Sequence, residues 1–131
     1  MIDSEHTLEL VINNKLIHSS NKSGLRPLME TINIIKEKYS TNKDIILNDK
    51  ITGLAAAKLI IYCGQIAQIN SELASKKAIE LLLKSNTHIK AKTVVDKILN
   101  KDKTAQCPME LKSETLTPEE FYLELKRIIN I

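Results

Sequence analysis

Aromatic side chains are nearly missing from this 131-residue chain, which has no Trp, one Phe and three Tyr. They are Tyr39, Tyr62, Phe121 and Tyr122, and two of them are adjacent. A platform for single-stranded nucleic acid needs several exposed rings along a basic groove, so that class is excluded. Arginine is almost as scarce. Of the 19 basic residues only Arg26 and Arg127 are Arg, which leaves little for bidentate recognition of guanine or phosphate. The balance of 19 Lys and Arg against 16 Asp and Glu gives +3, too small an excess to imply a polyanionic partner. No nucleic-acid partner is expected.

Cysteine is limited to Cys63 and Cys107, too few and too far apart for a secreted disulfide framework. Both read as reduced thiols in a cytoplasmic protein. The start, Met1 to His6, has neither the basic nor the apolar region of a signal peptide. The longest apolar stretch, Leu54 to Cys63, is interrupted by Lys58 and reaches only half of the ~20 residues of a membrane span. No membrane association is expected. His6, His18 and His88 are dispersed with no His-x-His or His-x-x-x-His spacing, so neither a metal site nor a cofactor is expected.

What the chain does have is aliphatic bulk: 19 Ile and 17 Leu, within 43% hydrophobic residues. One domain over residues 1–131 is large enough to bury roughly two-thirds of its unfolded surface. Thr7 to Ser19 reads as a β-hairpin turning at Asn13-Asn14, since Asn tolerates positive φ. After the polar break Ser20 to Gly24, Pro27 sits in the first turn of a helix with Leu25, Leu28, Met29, Ile32, Ile35 and Tyr39 on one face. Ile45-Ile46-Leu47 reads as a buried central strand ended by Asn48-Asp49-Lys50. A second helix runs from about Thr52 to Cys63 and stops at Gly64.

Gln65 to Asn70 is a further strand, and Ser75 caps a helix from Lys76 to Ser85. His88 to Val95 alternates as an edge strand with one wet face. Leu99 to Leu116 is polar and irregular. Thr117-Pro118-Glu119-Glu120 then combines an N-cap, Pro at the first helical position and a capping-box Glu. A hairpin followed by helix–strand alternation predicts an α/β protein with a mixed sheet and helices on both faces, a three-layer α/β/α sandwich.

Three stretches carry a resemblance: Ser23 to Leu28, Asp49 to Ala57, and Asn100 to Glu110, which ends in Cys107-Pro108-Met109-Glu110. They resemble the signature segments of a small prokaryotic family of unknown function with the cytidine-deaminase-like fold, and the resemblance covers essentially the whole chain. It implies that fold. Deaminase chemistry would add a zinc ion held by His or Cys followed by x-Glu at one helix start and Pro-Cys-x-x-Cys at the next. Here the second helix opens with Asp49 to Gly53 and the third near Glu72 to Lys77, without those residues. A zinc-free divergent member is the expectation.

Ligands of open α/β sheets sit outside the carboxyl ends of the strands, at helix N-termini. Asp49, Lys50, Thr52 and Gly53 belong at that rim, where orphan N–H groups and Lys50 would suit a small anionic or nucleotide-like molecule. The plain alternative is that Thr52 caps the helix and Gly53 allows close packing. Cys107 with Glu110 as acid/base is a candidate nucleophilic pair with Lys101 and Lys103 nearby in sequence, or else a small structural thiol and a Pro-ended loop. Asp102 and Thr104 read as ligand contacts or as a turn, and Arg26 as an anion clamp or a surface residue. The alternative function is a non-catalytic structural or regulatory module, a homo-oligomer assembled through edges such as His88 to Val95.

Overall fold

Asn13 and Asn14 take φ values of 53° and 63°, the left-handed conformation that a tight two-residue hairpin turn requires. They join β1 (Leu8–Ile12) to β2 (Lys15–Ser20). The computed structural model describes residues 2–100 and 102–129. After the hairpin come α1 (Arg26–Lys38), β3 (Ile45–Thr52), α2 (Leu54–Cys63), β4 (Ile66–Ser75) and α3 (Lys76–Lys84). The order ends with β5 (His88–Val95), α4 (Pro108–Ser113) and α5 (Pro118–Ile129). The expected start and stop signals operate. Gly64 ends α2 at φ 73°, the Ser75 hydroxyl accepts from the Ala78 N–H at 3.2 Å, and Thr117 and Glu120 form a reciprocal capping box.

The five strands form one mixed sheet in the order β2-β1-β3-β4-β5. β1 is antiparallel to both β2 and β3, while β3, β4 and β5 run parallel. The α/β class and the mixed sheet are as expected, but the layers fall differently. The crossovers through α1, α2 and α3 all step in the same direction across the sheet, and right-handed connections then place their helices on one face. Accordingly α1, α3, α4 and α5 all pack against α2, and the expected sandwich with helices on both faces is not formed among the described residues. The central place of α2 explains its sequence: Ala55, Ala56, Ala57, Leu59, Ile60 and Cys63 are all buried. Tyr62 on α2 stacks on Tyr122 of α5, with ring centroids 4.0 Å apart.

Cross-strand register puts Leu10, Leu47 and Ile69 in one row under the helices, and each is fully buried. The neighbouring row, Glu9, Asn48 and Asn70, faces the helix-free side. Asn48 donates to Glu9 at 3.0 Å and Asn70 donates to Asn48 at 3.0 Å, with Gln68 donating to Asn70 at 2.8 Å. His6 Nδ1 meets the Glu9 carboxylate at 2.7 Å. These bonds hold Glu9 below its ordinary pKa against the opposing effect of burial. The amide ladder also explains why β3 and β4 outrun their expected ends: Asn48, Asp49 and Lys50 continue β3 because Asn48 has bonds on both sides.

Candidate functional site

The rim at the end of β3 gathers the residues of interest. β3 ends at Thr52, Gly53 makes the turn, and α2 begins at Leu54. Gly53 has φ −99°, and no side-chain cap comes from the turn itself. The cap comes instead from 56 residues further on: the Leu54 N–H donates to Glu110 Oε2 at 2.8 Å and the Ala55 N–H to Glu110 Oε1 at 3.2 Å. Glu110 is buried at 6% exposure. Burial pushes its carboxyl above the usual carboxylate range, with the two N–H groups opposing the rise. The α2 N-terminus is therefore already occupied by a carboxyl group of the same chain, which satisfies two of its orphan donors.

Lys58 returns the favour at the other end. Its ammonium donates to the carbonyls of Ser113, the last residue of α4, and of Leu116, three residues on. The two helices thus complete each other's ends, and α4, a short helix inside the stretch expected to be irregular, is held by that exchange. Its start follows a familiar local rule, with Pro108 in the first helical turn after Cys107.

Beside this clasp lies a groove of about 340 Å³. Leu25 and Ala56 line it from α1's entry and α2, Leu99, Cys107 and Met109 from the opposite wall, with Gly53 and Glu110 at its floor. Ile51 borders it and is 53% exposed. Ser23, Gly24, Leu25, Ile51 and Ala56 also line an adjoining hollow of about 130 Å³, which reaches Asp49. Desolvation pushes the Asp49 carboxyl up to about 7, against hydrogen bonds from Thr52 and from the backbone of Ile51 and Lys50. Two carboxyls, both raised by desolvation, therefore line two adjoining, largely apolar hollows, Glu110 the larger and Asp49 the smaller.

Of the expected site residues, the structure brings together Asp49, Lys50, Thr52, Gly53, Cys107 and Glu110, and disperses the rest. Lys50 borders the hollow that reaches Asp49, but its ammonium donates to the Ser4 carbonyl at 3.2 Å. Arg26 donates to the Ile129 carbonyl at 3.1 Å at the end of α5, so it fastens a helix end and lines neither hollow. Asp102 and Thr104 are exposed in a turn where Asn100 Oδ1 accepts from the Thr104 N–H at 3.1 Å and Lys103 has φ 57°. That is the turn reading of this segment. Lys101 lies outside the described residues.

Sequence reasoning missed Ile51 and Ser71. Ile51 had a signal, an aliphatic residue between polar ones at the end of a strand, whereas Ser71 is placed only by its register opposite Asp49. Zinc, which the deaminase resemblance brings with it, needs three protein ligands and a water. Among the described residues no group of three or more His, Cys, Asp or Glu side chains is gathered for a metal, and Glu110 is turned to backbone N–H groups. The donor set does not fit that ion.

A mixed five-stranded sheet whose described helices pack around α2 defines an α/β protein. The chain belongs to the family described as a domain of unknown function, DUF1893, whose profile matches residues 2–129. A crystal structure of a DUF1893 family protein (TM1506) from Thermotoga maritima is similar to it, with a TM-score of 0.78 and 24% sequence identity. That similarity covers 94% of this chain and 80% of the other and concerns the fold. No curated protein matches the chain. Among the described residues no helix is long and apolar enough to cross a membrane.

Proposed function

We propose that this chain is a divergent protein of cytidine-deaminase-like fold that binds a small nucleotide-like molecule in the trough between Asp49 and Glu110. The observation that carries the reading is the trough itself, two adjoining, largely apolar hollows with a desolvated carboxyl lining each. The element order and the parallel β3-β4-β5 set support the fold part of the reading. Between an anionic group and an uncharged, base-like one, the trough favours the second. Glu110 already takes the N–H groups of Leu54 and Ala55, and Lys50 is bonded elsewhere. Apolar walls and the Asp49 carboxyl suit a heterocycle with hydrogen-bonding edges.

Cys107 lines the same trough three residues from Glu110, half-buried and unpaired with Cys63. That placement favours, as a second reading, a thiol-dependent step on the bound molecule. The test is a thermal-shift panel of nucleobases, nucleosides and nucleoside monophosphates. Wild type is expected to melt higher with at least one base or nucleoside, and Ile51→Lys, at an exposed wall position, to lose the shift. No shift across the panel, or an equal shift in Ile51→Lys, contradicts the reading. The first outcome would favour a module assembled through the exposed outer edge of β5, where Val94 is 50% exposed.

A further inference from the structure

We propose that Asp49 holds a proton in the resting protein, at the head of a hydrogen-bond chain through Thr52 and Ser71 to the Leu73 carbonyl, and that this proton is what it offers a ligand. The argument is a count of hydrogens. Thr52 is fully buried and Ser71 is 6% exposed, and each hydroxyl has one proton to give. Ser71 Oγ lies 2.9 Å from the Leu73 carbonyl oxygen, which can only accept, so the Ser71 proton is used there. Thr52 Oγ1 lies 3.0 Å from Ser71 Oγ and 3.2 Å from Asp49 Oδ2. With Ser71 committed, Thr52 must donate to Ser71, and it then has no proton left for Asp49. The last contact is satisfied when Asp49 itself donates. An ionised Asp49 would leave the part-buried Thr52–Asp49 contact without a hydrogen, a cost set by the fully buried Thr52 hydroxyl, which has no other donor to offer it.

The surroundings act in the same direction. The residues of α1, α2 and β1 along this hollow, Leu8, Leu25, Leu28 and Ala56 among them, carry no charge. Its two lysines are turned to other partners, Lys22 to Glu30 at 3.8 Å and Lys50 to the Ser4 carbonyl. Desolvation raises the carboxyl; the backbone of Lys50 and Ile51 favours its charged form, as the Thr52 hydroxyl does only when it is turned to donate to Asp49.

The use of this proton deepens the ligand reading above and rests on it. When a basic nitrogen of a bound molecule takes the proton from Asp49, a carboxylate is left behind. The Thr52 hydroxyl then turns from Ser71 to that carboxylate and supplies the donor the charged form needs. Asp49 is the proton-holding group, and Thr52 and Ser71 are positioning residues.

The test needs no ligand, so its failure is separable from failure of the binding reading. Side-chain carboxyl carbons are followed by NMR from about pH 4 to pH 9 in the full chain, with Asp49→Asn to assign the signal. Asp49 is expected to titrate near 7. Ser71→Ala frees the Thr52 proton for the carboxylate, and the midpoint is expected to fall by about one pH unit, whereas Ser71→Thr keeps it. An infrared carbonyl band of a protonated carboxyl, present in wild type near neutrality and absent in Asp49→Asn, gives a second readout. A wild-type midpoint in the ordinary Asp range, or no change in Ser71→Ala, overturns the proposal.

Discussion

The Glu110 carboxylate lies in the space that a side chain on Gly53 would fill. A Cβ built on Gly53 would overlap Glu110 Oε1 and come within 2.8 Å of the Ile98 side chain. The backbone there has φ −99°, a value open to any residue, so it is the incoming carboxylate and not the turn that requires glycine. Gly53 and Glu110 therefore work as one unit: the bare position admits the carboxylate, and the carboxylate caps the helix that the glycine begins.

Gly53→Ala should destabilise the protein by roughly 2–3 kcal/mol, since the added methyl must displace a buried capping group. Glu110→Ala alone should cost roughly 1–3 kcal/mol through two buried N–H groups left without an acceptor. Urea denaturation of the double variant is the check. Because the alanine at 53 no longer meets a carboxylate, the combined loss should be clearly smaller than the sum; simple additivity would mean that the two residues do not act through each other.

Asp49 makes stability depend on pH in a defined direction. Its folded carboxyl is raised from 3.8 to about 7, so its contribution is complete below the unfolded pKa and is lost as pH rises through the folded one. Wild type should be more stable at pH 5 than at pH 8, with the loss falling between about pH 4 and 7 and amounting at most to about 4 kcal/mol. Asp49→Asn keeps the shape and removes the charge, so its melting temperature should lose most of this slope. A slope of equal size in the variant would assign it to other groups.

The two thiols should separate in native alkylation. Cys63 is buried in α2, and burial pushes its thiol above the ordinary value. Cys107 is only half-buried on the trough wall. One equivalent of iodoacetamide should label Cys107, and the second thiol should react only after denaturant is added. Mass mapping that found Cys63 labelled first would contradict the placement of α2 at the centre of the helix layer.

Lys58→Met should loosen α4 locally. The substitution keeps the apolar stem and removes the donor for the Ser113 and Leu116 carbonyls, at a cost of about 1–3 kcal/mol. Hydrogen exchange should speed up in Pro108–Ser113 and in the turn after it, while the protected centre of α2 keeps its rate.

Local signals in the sequence carried the elements well. Asn13-Asn14, Gly64, Ser75 and the Thr117–Glu120 box each act through one or two neighbours, and each is where the spacing puts it. Long-range pairing was not legible. Asn48-Asp49-Lys50 looks like the end of a strand until Glu9 and Asn70 are seen on either side of Asn48. The one-sided stacking of the helices depends on strand order, which no window of sequence contains.

The candidate site was half legible for the same reason. The stretches around Asp49 to Gly53 and Cys107 to Glu110 do meet, but an anion was expected from outside. Nothing local to Leu54 or Ala55 shows that an anion is supplied from within, by a glutamate more than fifty positions away. The lysine counted toward that anion, Lys50, borders the hollow, but its ammonium is taken by the Ser4 carbonyl.

The ligand trough is tested most directly by backbone amide NMR during titration with an uncharged nucleoside, with inorganic phosphate as the parallel titrant. The account predicts shifts confined to Gly24, Leu25, Ile51, Gly53 and the Cys107–Glu110 turn with a nucleoside, and none there with phosphate. Shifts at those residues with phosphate alone, or nucleoside shifts confined to His88–Val95, would contradict it.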